Sequence, residues 1–391
     1  MTATVPFDHD YLDRLMAEHG IDVVIATTKH NVQHLLGGYR YFFFANADAT
    51  GISRYLPALG LIRGRANDAF YVGGGNENWG TEYGAVWVDD IRNVSWSSVD
   101  TARVTAEILR ERGMASATFA VEQSFIPADA LDTLRQLLPD ATFVEALPVF
   151  ERMRAVKSAD ELVLIRDASI KIIESMQSAF SLAQPGMTKF ELQEIFRREQ
   201  TNRGMYFEYA LVTIGGGSMN RSPSELEWQS GTTLSLDSGG MYKGYIGDLS
   251  RMGIDTEPTA RQLSLLNQVE TVQQEARTQI VAGKKGRDIY THSLDVISKL
   301  PDGDNMRFVA HGMGLIVHEA PRLTNTGPVP YPDTHADEPL KAGYVLSIES
   351  WFEDVESGFI KLEDTIIVTE DGWEAPGDDA RGWNRTGGAV N

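Results

Sequence analysis

Residues 234–252 read LSLDSGGMYKGYIGDLSRM. An apolar, β-type run reaches Asp237, a Gly-rich stretch follows, and a second run returns to Asp248. The two aspartates are too far apart in sequence to be neighbours along one helix or strand. Folded back as a hairpin about a turn near Lys243-Gly244, they are expected almost opposite one another. Two carboxylates facing each other across a ladder repel and weaken it. A cation between them removes that cost, and a divalent metal is the obvious one. The stretch equally fits a hairpin with two solvated aspartates at its rim, so the rest of the chain has to decide.

The chain has 391 residues, too many for one ordinary core, which favours two or three domains. A hydrophobic content of 42% with ordinary Gly and Pro usage describes a globular protein. Asp and Glu total 55 against 35 Lys and Arg, a formal charge of −20. Nucleic-acid and anionic-membrane binding want a basic surface, so neither partner is expected. There is no cysteine, which excludes disulfides, thiolate metal sites and cysteine nucleophiles. The opening MTATVPFDHDYLDRLM lacks a basic region followed by an apolar one, and no window approaches a membrane span, so a cytoplasmic location is expected.

The first 150 residues or so alternate helix and strand patterns. Asp10–His19 has helical spacing and stops at Gly20; IDVVIATT (Ile21–Thr28), Leu59–Ile62 and AFYVGGG read as strands. A helix at Thr101–Arg112 and the series TFAVE, PADALDTLRQLL, TFVEAL continue the alternation. This predicts an α/β domain over about 1–150 with an at least partly parallel sheet. From Ser158 a long helical pattern runs to Pro185-Gly186, and a second ends at Gly204. Strands, two helices near Ala260–Val281 and Asp288–Leu300, and a strand-rich end follow. This predicts an α+β domain over about 155–391.

Further chemistry lies in the same half. HGMGLIVHEAP carries His311 and His318, with Gly312 and Gly314 allowing close backbone approach. Strand alternation in YVLSIES places Val345, Ser347 and Glu349 on one face. In FIKLEDTIIV it places Phe359, Lys361, Glu363 and Thr365 on one face and Ile360, Leu362 and Asp364 on the other. Glu349 and Glu363 are thus acids within runs that otherwise read as buried. A buried carboxylate without a partner costs several kcal/mol or shifts its pKa to stay neutral. Each therefore has a private basic residue, or they share cations. No P-loop, HExxH or G-x-S-x-G motif occurs.

In order, the motifs D-SGG-x-Y-x-G-Y-x-G-D, HGMG-x-x-x-HE, S-x-E and K-LED resemble metallopeptidase family M24, the group of methionine aminopeptidase, prolidase, aminopeptidase P and creatinase. RAVKSADELVLIRDAS resembles that family's entry to its catalytic domain. The resemblance implies a creatinase/prolidase-type α/β N-terminal domain joined to an α+β pita-bread catalytic domain, in a homodimer. It places five metal ligands on Asp237, Asp248, His311, Glu349 and Glu363, with Asp248 as the bridge between two ions. Four carboxylates match two divalent ions in charge, and the oxygen-rich set suits Mn, Co, Fe or Zn. The implied activity is an Xaa-Pro dipeptidase or aminopeptidase in which a metal-bridging hydroxide attacks the peptide carbonyl. Glu349 is then the general base, and His318 binds the substrate carbonyl and its oxyanion.

Two positions depart from that pattern. Asn220, in GGGSMNRSP, stands where prolidases have a further substrate-binding histidine, and Lys361 stands where arginine is usual. Asn carries no charge and lysine is not a planar fork, so both changes bear on Xaa-Pro specificity rather than on the metal chemistry. The alternative is a metal-dependent hydrolase of a non-peptide amide or cyclic amidine, similar to ectoine hydrolase. A creatinase-like amidinohydrolase or a non-catalytic binding protein would have lost ligands. A dimethylsulfoniopropionate lyase would differ at about Met306 and Val317. In GGYRYFFF (Gly37–Phe44), Arg40, or Arg54 beyond it, is a candidate to hold a substrate carboxylate across the dimer; a core strand is the other reading.

Overall fold

Six apolar runs in the first part of the chain become strands: β1 (Val23–Ala26), β2 (Ala58–Ile62), β3 (Phe70–Gly74), β4 (Asp90–Ser95), β5 (Thr118–Val121) and β6 (Thr142–Glu145). The computed structural model describes residues 5–41, 56–79, 86–216, 220–326 and 331–387. It divides into two units, Met1–Arg154 and Ala155–Asn391. In the first, the strands form one sheet in the order β4-β3-β2-β1-β5-β6. Pairing is parallel at β3–β4, β1–β5 and β5–β6 and antiparallel at β1–β2 and β2–β3. β1 is buried on both faces because alternate residues enter two cores. Val24 and Ala26 pack with the helix His9–Glu18 through Leu12, Leu15 and Met16, while Val23 and Ile25 pack with Ser98–Glu111 through Ala106, Ile108 and Leu109. A strand covered on both sides reads as a continuous apolar run, as this one does.

The second unit has three helices whose starts are written in the sequence, two before its first strands and one after the strand Tyr245–Ile254. Ser158 caps Ala159–Leu182 in a capping box with Glu161, Thr188 caps Lys189–Asn202 with Glu191, and Thr259 caps Ala260–Arg277 with Gln262. A fourth helix spans Gly286–Ile297. They pack on a sheet built from β7 (Tyr206–Phe207), β8 (Leu211–Ile214), β9 (Leu234–Tyr242), β10 (Tyr245–Ile254), β11 (Met306–Gly312), β12 (Val345–Asp354), β13 (Gly358–Val368), β14 (Trp373–Glu374) and β15 (Asn384–Arg385). The central order is β11-β12-β13-β10-β9-β7, antiparallel throughout.

Period-two alternation gives this sheet two unlike faces. Leu346, Ile348, Ile360, Leu362 and Ile366 enter the core shared with Ala260–Arg277 and Gly286–Ile297. Leu234, Leu236 and Leu249 enter the core shared with the first two helices. The helix Ala159–Leu182 lies so close that a Cβ on Gly247 would come within 2.9 Å of the Ser169 backbone. The residues in between point to the other face, and they are polar. No helix among the described residues is long and apolar enough to cross a membrane.

Candidate metal centre

The hairpin turns on Lys243 and Gly244, both at positive φ (49° and 92°), with Tyr242 paired to Tyr245. A two-residue turn of this kind fixes the register. Asp237 consequently faces Ser250, and Asp248 faces Gly239. The expectation that the aspartates stand almost opposite is corrected: they are diagonal neighbours, two residues out of step, on one face. The next strands extend two rows across that face. Ser250 pairs with Glu363, and Glu363 with Glu349, so Asp237, Ser250, Glu363 and Glu349 form one row. In the adjacent row His311 pairs with Ser347 and Ser347 with Thr365, whose hydroxyl bonds to the backbone N–H (3.1 Å) and carbonyl (3.2 Å) of Asp248.

Lys361 reaches into the first row from β13. Its Nζ lies 2.6 Å from Asp237 Oδ2, 2.6 Å from Glu349 Oε2 and 2.7 Å from Glu363 Oε2. Burial alone would lower the pKa of this ammonium, but Asp237, Glu349 and Glu363 together raise it above its usual value. Arg221 also pairs with Asp237 Oδ2. Ser347 Oγ donates to Glu363 Oε1 at 2.7 Å.

Asp248 is treated differently. Its Oδ1 accepts from the Tyr209 hydroxyl at 3.0 Å, and its Oδ2 faces His311 Nε2 at 3.9 Å. The Tyr209 ring occupies the space a Cβ on Gly239 would need, within 2.8 Å. Burial first, then the charges of Glu363 and Asp237, push the Asp248 carboxyl well above the usual range. Burial also pushes His311 down to about 4, leaving a neutral imidazole at neutral pH.

The loop after β11 holds the second histidine. A Cβ on Gly312 would come within 2.4 Å of the backbone at Ala320 and Pro321, and one on Gly314 within 2.3 Å of Glu319 Oε1. The close approach expected of these two glycines is therefore present. Glu319 makes a buried ion pair with Lys157 at 3.1 Å, which fastens the returning loop. His318 stacks on His311 with ring centroids 3.9 Å apart, and its Nδ1 is buried without a hydrogen-bond partner. Burial and then His311 push His318 down to about 4.

The donor set fits a divalent cation. One ligand atom from each of Asp248, His311 and Glu363, all buried, lie within 4.8 Å of one another. Glu363 Oε2, though close to the ammonium, has no donor in hydrogen-bond alignment. Two carboxylates and a neutral imidazole suit Mn, Fe, Co or Zn. Asp237 and Glu349 stand beside this group on the Lys361 side.

Asn220 has its side chain engaged by a neighbouring helix and strand: Oδ1 accepts from Lys189 Nζ at 2.7 Å and Nδ2 donates to the Ile214 carbonyl at 3.0 Å. Arg40 lies in the first unit, while Arg54 and Phe42–Phe44 fall outside the described residues. Tyr209 and Arg221 are site residues that the motifs did not single out. Tyr209 was hidden in an apolar run, FEYALVTI, and Arg221 directly follows Asn220.

Residues 163–370 match metallopeptidase family M24, and residues 9–156 match the creatinase/prolidase N-terminal domain. The chain belongs to family M24. It is 24% identical over 305 residues to an Xaa-Pro dipeptidase of Lactobacillus helveticus, covering 74% of this chain and 80% of that one. To an Xaa-Pro dipeptidase of Lactobacillus delbrueckii subsp. lactis it is 23% identical over 381 residues, covering 93% and 95%. The structure matches that of an Xaa-Pro dipeptidase from Bacillus anthracis with a TM-score of 0.79 at 21% identity, over 97% of this chain and 98% of that one. An X-Pro aminopeptidase from Thermotoga maritima matches at 0.76 and 19% identity, over 97% and 99%. The fold is thus that of an M24 hydrolase: a mixed-sheet N-terminal domain and a pita-bread catalytic domain.

Proposed function

We propose that this M24 hydrolase cleaves the C–N bond of a small peptide or amide, with an Xaa-Pro dipeptide or short Xaa-Pro peptide as substrate. The observation that carries the reading is the convergence of Asp248, His311 and Glu363 beside the Glu349 carboxylate and under the His318 ring. Asp248, His311 and Glu363 would hold a divalent ion, which would supply Lewis acidity for the scissile carbonyl and for the attacking water. Glu349, held by Lys361, accepts the proton of the attacking water and passes it to the leaving nitrogen as the C–N bond breaks. Neutral His318 keeps one N–H to donate to the carbonyl oxygen as negative charge develops there. The curated relatives named above support an Xaa-Pro substrate, and the reading includes a homodimer.

One observation favours a second substrate class. With the Asn220 amide committed to Lys189 and Ile214, that position does not offer a substrate what a free histidine would. A non-peptide amide or cyclic amidine such as ectoine would need no such contact. Assay of Mn²⁺-, Co²⁺- or Zn²⁺-loaded protein on Xaa-Pro dipeptides, longer Xaa-Pro peptides, creatine and ectoine separates the two. Turnover of an Xaa-Pro substrate is expected; turnover of ectoine alone would replace the first reading by the second.

A further inference from the structure

The two halves of the centre are not equivalent. In one, Asp248, His311 and Glu363 offer ligand atoms that lie within 4.8 Å of one another. In the other, the oxygens of Asp237, Glu349 and Glu363 converge on the ammonium of Lys361, at 2.6, 2.6 and 2.7 Å. The ammonium hydrogen-bonds to Asp237 and stands at ion-pair distance from all three carboxylates. We propose that Lys361 is a resident cation standing in for one of the two ions that this ligand set suggests, so that each chain binds one divalent ion, at Asp248, His311 and Glu363. This rests on the reading of the protein as a metal-dependent hydrolase.

Three further observations support the assignment. The first is charge. Four buried carboxylates set against Lys361 and Arg221 leave two negative charges, which one divalent ion cancels. A second ion would leave the buried cluster with two uncompensated positive charges, which a low-dielectric site resists. The second is the hairpin register. Because Asp237 is two residues out of step with Asp248, its carboxylate points to the Lys361 side, where Arg221 pairs with the same oxygen. The third is anchorage. Lys361 is 2% exposed on an inner strand, between β10 and β12, so its ammonium is held within the cluster and away from bulk water. Glu363 belongs to both halves and couples them: one oxygen takes the Ser347 hydroxyl, the other faces Lys361.

The test is metal stoichiometry. Purified chain is loaded with Mn²⁺ and desalted, its metal content is measured by mass spectrometry, and the ion's environment is read by electron paramagnetic resonance. One Mn²⁺ per chain with the spectrum of an isolated ion is expected, rising to two with an exchange-coupled spectrum in Lys361→Met. Asp237→Asn should keep its single ion, whereas His311→Ala should lose it; these two variants decide the matter if Lys361→Met does not fold. Two coupled ions in the wild type would overturn the inference and leave the metallohydrolase reading standing. A Lys361→Met protein that folds and still holds one ion would also overturn it, as would loss of the ion from Asp237→Asn. No bound ion in the wild type would overturn this inference and the proposed function together.

Discussion

Burial sets the protonation state of the two histidines that face each other across the centre. His311 and His318 stack, and each is pushed down to about 4, so both rings are neutral at physiological pH. A neutral ring offers a lone pair to an ion and an N–H to a substrate oxygen. Replacing His318 by Ala should lower kcat on the order of 10²-fold while leaving metal content unchanged; an unchanged kcat would remove its role at the oxyanion. Both residues were legible in HGMGLIVHE through the resemblance its ordered motifs carry, while Gly312 and Gly314 marked only the close backbone approach beside His311. Tyr209 and Arg221 were not legible. Each earns its place through a partner distant in sequence, Asp248 and Asp237, and no local periodicity encodes such a contact.

β13 carries different charges to its two faces, and both were readable from alternation. Lys361 and Glu363 enter the centre, while Asp364 turns toward the helices. What alternation did not show is the company Asp364 keeps. Arg251 at 2.8 Å, Arg277 at 3.0 Å and Arg381 surround it, and their charges outweigh burial to hold its carboxyl below the usual range. Asp364→Asn leaves these guanidiniums short of a buried partner and should destabilise the second unit by about 3–5 kcal/mol in urea unfolding. A loss below about 1 kcal/mol would mean that Asp378 and Glu270 carry the cluster. The β9–β10 hairpin teaches a related lesson. Its strands and turn were read correctly, yet the aspartates were set almost opposite each other, whereas a turn on Lys243 and Gly244 pairs Asp237 with Ser250 and leaves Asp248 two residues out of step.

In the first unit, the helix Lys29–Leu35 carries His30, pushed down to about 3 by burial, then by Arg40, Arg154 and Lys29. Its unfolded value is near 6.5, so the stability it contributes is complete above that pH and is lost as pH falls toward about 3. The unfolding midpoint of this unit should therefore drop from about pH 7 to about pH 5, and His30→Gln should flatten that slope. An equal slope in both proteins would exclude His30 as its source.

At the scale of the molecule, the two units have separate cores and separate family matches, 9–156 and 163–370. Their architectures followed from sequence because alternating β and α patterns in one and capped helices before antiparallel strands in the other are local signals. The sheet of the first unit is partly parallel, as its pattern suggested, and β2 is the strand that runs antiparallel to both of its neighbours, β1 and β3. The net charge of −20 is consistent with the acidic centre of the second unit, where four carboxylates meet one lysine and one arginine. The whole account turns on that centre holding a catalytic ion. The most direct measurement is hydrolysis of the substrate panel by Mn²⁺-loaded wild type, by chelated and reloaded protein, and by Asp248→Ala. Turnover that disappears on chelation, returns on reloading and is absent from a folded Asp248→Ala is the predicted result; turnover that survives chelation, or an active Asp248→Ala, would contradict it.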